Sequence, residues 1–201
     1  MKWTVYIGLA ALSGGCGGLL DQDPETYEEI LQEFSEASSS GDLGEVGLAA
    51  QESLDAFSNA SFTAASSIPD TGSAKYFGHL TLGTPQDGAL GEISMNIEFN
   101  NAAVSGQANN FVDETATPIG GQFEISGGSI NRNADPELDW QFEVSLDGNL
   151  EWNGIDSSSY GQLVGDFYDG DSVIGGEASI QLFDFAADTS NLTGGFSVVK
   201  Q

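Results

Sequence analysis

Gly91-Glu92-Ile93-Ser94-Met95-Asn96-Ile97-Glu98-Phe99 is the stretch that decides the fold. Gly91, Ile93, Met95, Ile97 and Phe99 alternate with Glu92, Ser94, Asn96 and Glu98. A period of two places one set on a buried face and the other in water, so this is a half-buried strand. Before it, residues 74–82 set Tyr76, Gly78, Leu80 and Leu82 against Lys75, Phe77, His79 and Thr81. After it, Asn100-Asn101 turns the chain into a strand over 103–111.

The same grammar continues to the end. Phe123 and Ile125 mark a fourth strand that runs through a Gly127-Gly128 bulge to Ile130. Trp140, Phe142, Val144 and Leu146 share one face of a fifth, with Trp140 read as core. Asp147-Gly148 reads as a hairpin turn feeding residues 150–153. The last strands cover 160–168, 173–183 and 191–199. Glycine followed by a bulky apolar residue recurs throughout, as in Gly165-Asp166-Phe167-Tyr168 and Leu192-Thr193-Gly194-Gly195-Phe196.

An antiparallel sheet closed on itself explains that series. The expected fold class is all-β, an eight-stranded antiparallel up-and-down barrel over residues 74–201, with a ninth strand if 150–153 pairs separately. A barrel of this size fills its interior with side chains. Burying about a dozen large residues at roughly 2 kcal/mol each would drive its folding. Function then belongs to loops and the outer face. A small outer-membrane barrel is the rival, with apolar residues outward and a polar lumen. The strand over 139–146 is short and acidically flanked, which suits water better than lipid.

The 201 residues leave room for one such domain and a tail. Residues 1–15 read as an export leader: Lys2, an apolar run over 3–12, then Ser13-Gly14-Gly15. Small residues before the only cysteine, Cys16, predict lipidation there, although Ser13 stands where a lipobox has leucine. An ordinary secretory leader is the other reading. Residues 16–73 are expected to form an acidic, partly helical tether. Asp23-Pro24 starts a helix carrying Tyr27, Ile30, Leu31 and Phe34 on one side, and Val46, Ala50, Leu54 and Phe57 form a weaker stripe.

Aspartate and glutamate number 31 against four Lys+Arg, a formal net charge of −27. Such a field repels nucleic acid and anionic headgroups, so the expected partners are a membrane reached through the lipid anchor and a protein or small solute. No cofactor is expected. His79 is the only histidine and no Gly-x-Ser-x-Gly occurs, so neither a histidine metal cluster nor a nucleophile elbow can be assembled. Asp166, Asp169 and Asp171 in one turn, with Asp184 and Asp188 in the next loop, are a calcium candidate or simply solvated hairpin tips. Trp152 and Tyr160 are the candidate partner contacts, as an exposed aromatic platform. A non-catalytic binder is expected. A purely structural envelope component and a carbohydrate-active enzyme are the alternatives.

Gly72-Ser73-Ala74-Lys75-Tyr76-Phe77-Gly78, Gly165-Asp166-Phe167-Tyr168, Val173-Ile174-Gly175-Gly176 and the Leu192 to Phe196 stretch together resemble the barrel domain of transferrin-binding protein B and its lipoprotein relatives. Asp169 replaces the last glycine of the Gly-x-Phe-Tyr-Gly sequence common in such barrels. The resemblance covers about Gly72 to Gln201. It implies a single-barrel relative, lipid-anchored at the outer membrane or surface of a Gram-negative bacterium, facing outward or into the periplasm, that binds rather than catalyses. It does not imply transferrin as the ligand.

Overall fold

Strong alternation yields nine strands in the computed structural model, which describes residues 56–201 except 85–86, 114, 116, 137 and 184–188. They are β1 (Ser73–Gly83), β2 (Gly88–Glu98), β3 (Ala103–Asp113), β4 (Pro118–Ile119), β5 (Gly121–Ile130), β6 (Phe142–Trp152), β7 (Ile155–Tyr168), β8 (Val173–Phe183) and β9 (Thr189–Lys200). The leader, Cys16 and the helix expected beyond Asp23-Pro24 lie outside the described residues, as do Asp184 and Asp188.

Every pairing is antiparallel, and β9 returns to β1 while β2 pairs β3 and β3 pairs β5. The eight long strands therefore close into a barrel, and β4 only adds a two-residue pairing beside β3. Inward positions are apolar: Tyr76, Leu80, Ile93, Phe111, Phe123, Phe142, Phe167 and Phe196 are all fully buried. Phe142 meets Phe167 edge-on at 6.0 Å and lies 6.3 Å from Phe196, so aromatic rings fill the middle. Outward positions such as Glu98, Glu124, Glu143, Asp147 and Gln162 are exposed. This is opposite to the face pattern of a barrel that turns apolar residues to lipid and polar ones to a lumen.

Asp147-Gly148 does not turn the chain. β6 runs straight through it, with Asp147 paired to Glu124 on one side and Tyr160 on the other. Gly148 is a close-approach position, since a Cβ there would sit 2.1 Å from the Gln122 carbonyl oxygen. The hairpin falls instead at Asn153-Gly154, with φ of 51° and 76°. Two consecutive left-handed residues suit a tight β-hairpin turn, and Asn-Gly supplies them at least cost. Residues 150–153 are thus the end of β6 and its turn. Trp140 precedes β6 and is only half-buried. The Gly127-Gly128 bulge is present, as a register shift between Ser126 and Ser129.

One end of the barrel is sealed by chain that precedes β1. Thr63 N–H donates to the Phe167 carbonyl at 2.9 Å, and Gln141 bridges this join from its buried side chain. Its Nε2 donates to Thr63 O at 2.7 Å while its Oε1 accepts from Phe167 N at 2.9 Å. A single 3₁₀ turn, Ala65–Ser67, then drops Ala65 and Ile68 into the core. Arg132 Nη2 donates to Pro69 O at 2.6 Å and to Phe99 O at 2.9 Å, pinning the seal to the β2–β3 turn. The hydrophobic core therefore starts before residue 74.

Candidate functional site

Because the interior is filled, surfaces for a ligand among the described residues lie at the end of the barrel opposite the seal, here the open end, and on the outer wall. At the open end, a cavity of about 230 Å³ is bordered by Asp87, Asp113, Glu151, Trp152 and Asn153. Asp113 closes a local turn here: its Oδ1 accepts from Thr115 N, Thr117 N and the Thr115 hydroxyl at 2.7–2.8 Å. Burial alone would push its carboxyl up, but the hydrogen bonds from Thr115 and Thr117 together outweigh it and hold the carboxyl below the usual carboxylate range.

A second site is on the wall made by β1, β2 and β3. Register places Phe77, Ser94 and Gln107 in one cross-strand row, and His79, Glu92 and Asn109 in the next. By alternation all six leave the barrel outward; five are exposed or half-buried, whereas His79 is fully buried. Ser94 is the small member of its row. It leaves a groove of about 300 Å³ between the Phe77 ring and the amides of Gln107, Asn109 and Asn110. Phe77 is 50% exposed although it is flanked by strands on both sides.

A β-bulge shapes the far wall. Leu90 pairs Val112 whereas Glu92 pairs Asn109, so Asn110 and Phe111 together face Gly91. Gly91 allows this because the Phe111 ring occupies the space a Cβ would need, 2.4 Å away. Asn110 takes a left-handed φ of 54°, which asparagine tolerates better than most residues. Its Nδ2 donates to Glu92 Oε2 at 2.6 Å, so the carboxylate closes one end of the groove in a fixed position. His79, cross-strand to Glu92, is fully buried, and burial pushes its pKa down to about 3. It is neutral at physiological pH and brings no positive charge to the groove.

The residues singled out from sequence fall elsewhere. Trp152 is 8% exposed and points inward at the open end, because it continues the inward register of Leu146 and Leu150. It is a core residue, not a surface platform. Tyr160 is on the outer wall, 55% exposed, diagonal across β7 and β8 from Phe183 at 46%. The two candidate contacts thus occupy different faces. The three aspartates do not converge either. Asp166 is buried, with Oδ1 accepting from Gln141 N at 3.2 Å. Asp169, in a left-handed turn, accepts from Ser61 N at 2.9 Å, and Asp171 pairs with Lys200 at 2.6 Å. Each secures the seal or the β8–β9 edge, and no metal-holding group of His, Cys, Asp or Glu occurs among the described residues.

The groove itself was missed because the 92–98 face reads as ordinary solvated polarity. Phe77, a phenylalanine on the polar side of its strand, was the available signal. No family model matches the chain, and no curated protein matches it significantly.

Proposed function

We propose that this chain is a cell-envelope lipoprotein, anchored through Cys16, whose barrel binds a small solute or protein on its outer wall without catalysis. One observation carries the binding half: the interior is packed with side chains, while the β1–β3 wall keeps a groove lined by an exposed ring, amide side chains and the hydrogen-bonded Glu92–Asn110 pair. Ligand sites pair an apolar surface with a few placed polar groups, and this groove has both. The envelope half is supported by the Ser13-Gly14-Gly15-Cys16 stretch and by the resemblance to transferrin-binding protein B barrels. Two or more acyl chains on Cys16 would give stable membrane retention.

The test has two arms on the full chain. Intact-mass analysis of the membrane fraction should find Cys16 acylated, and Cys16→Ser should release the protein. Pull-down from the producing cell's envelope should recover a partner with wild type and lose it with Ser94→Trp, which fills the groove. An unmodified mature cysteine removes the anchor. Identical recovery by Ser94→Trp and wild type removes the groove as the contact surface.

A further inference from the structure

Resting on that reading, the geometry points to a neutral saccharide as the ligand of the Phe77–Glu92–Asn110 groove. The inference starts from what the lining can recognise. Gln107, Asn109 and Asn110 carry amides, each offering donors and an acceptor. Sugar hydroxyls are donors and acceptors at once, so amides match them without committing charge. A pyranose also has an apolar C–H face, and the half-exposed Phe77 ring supplies a flat partner for it.

Charge narrows the class further. A net charge of −27 opposes anionic ligands, including uronic acids and phosphates. The single carboxylate of the lining, Glu92, is already engaged by Asn110 at 2.6 Å, which weakens its pull on a cation. That bond leaves its other oxygen to accept from a hydroxyl, a frequent use of a fixed carboxylate. His79 is neutral and buried, so it adds neither a cation for an anionic ligand nor an exposed base. The volume, about 300 Å³, is at the lower end of small-ligand sites and suits a short saccharide. Because the groove runs along a wall and not into the core, a longer glycan could pass through it.

The measurement is an NMR titration of the full chain in detergent, following the side-chain amides of Gln107, Asn109 and Asn110. The probes are maltotetraose, cellotetraose and chitotetraose as neutral ligands, with tetragalacturonate as the anion and spermidine as the cation. At least one neutral probe should shift those amides with a Kd of about 1 mM or below. Phe77→Ala should weaken it about tenfold or more, Phe77→Tyr should retain it, and Ser94→Trp should abolish it. If only tetragalacturonate or spermidine shifts the amides, and Ser94→Trp blocks the shift, the saccharide class is wrong while the groove stands as the site. If no probe moves these amides but shifts appear around Tyr160 or Trp152, the Phe77–Glu92–Asn110 groove is overturned as the site and the proposal with it. Unchanged spectra with every probe overturn the saccharide assignment, and the envelope pull-down then decides the groove alone.

Discussion

The two ends of the barrel are built by opposite strategies. One is closed by the chain itself: Phe62 and Thr63 pair with the end of β7, Ala65 and Ile68 insert into the core, and Gln141 and Arg132 tie the segment down. The other is left as a shallow cavity rimmed by Asp87, Asp113 and Glu151 over the inward-facing Trp152. At the sealed end, backbone groups with no strand beside them are satisfied by a side-chain amide. At the open end, the turn at Asp113 satisfies its own groups through Thr115 and Thr117. The comparison teaches where the fold is least forgiving. Near the seal, packing and hydrogen bonding depend on each other, while the open end is assembled from locally stable turns.

The largest expected effect lies under the seal. Phe142 is fully buried between Phe167 and Phe196, one residue after the bridging Gln141. Phe142→Ala should cost about 3 to 5 kcal/mol in urea melts, through lost burial and the cavity left behind. A loss under about 1 kcal/mol would mean that this end is loosely packed and that the seal is decorative.

Acid separates the wall from the open end by pH window. His79 sits in the wall with its pKa lowered to about 3, so the folded state binds fewer protons than the unfolded one below the ordinary value of 6.5. Stability should fall as pH drops from about 6.5 toward about 3, by at most about 1.4 kcal/mol per pH unit. His79→Gln should flatten that slope. Asp113 at the open end works in a lower window. Its carboxyl is held below its ordinary 3.8, so its contribution is present above that value and lost only beneath it. Melts at a series of pH values decide the matter, and a His79→Gln slope equal to wild type would remove histidine as the cause.

Most of the barrel was legible because strands buried on one face must alternate, and 93–99 and 142–146 do so without interruption. The seal was not. Thr63, Ala65 and Ile68 lie in a serine- and alanine-rich stretch with no periodicity, and their burial follows from a strand edge formed far away in sequence. Trp152 was misplaced for a related reason. Once Asp147-Gly148 is taken as a turn, the inward register ends at Leu146, and a tryptophan six residues later appears to stand outside. Local turn chemistry favours Asp-Gly and Asn-Gly alike, and only the neighbouring strand distinguishes them. The groove needed three strands in register, which no single segment reveals.

The smallest effect belongs to the open end and tests that last point. Gly154 occupies a left-handed φ of 76° with nothing within 4 Å of where a Cβ would be. Gly154→Ala should therefore cost only about 1 kcal/mol, the conformational penalty less the entropy gained by restricting the unfolded chain. Gly148 is the matched contrast, since its missing Cβ would meet the Gln122 carbonyl oxygen at 2.1 Å. Backbone does not yield as a flexible side chain does, so Gly148→Ala must push β5 from β6 and should cost well above Gly154→Ala. Two thermal melts compare them directly. If Gly154→Ala were the more damaging, the hairpin would lie where the sequence first suggests it, at Asp147-Gly148, and Trp152 would return to the surface.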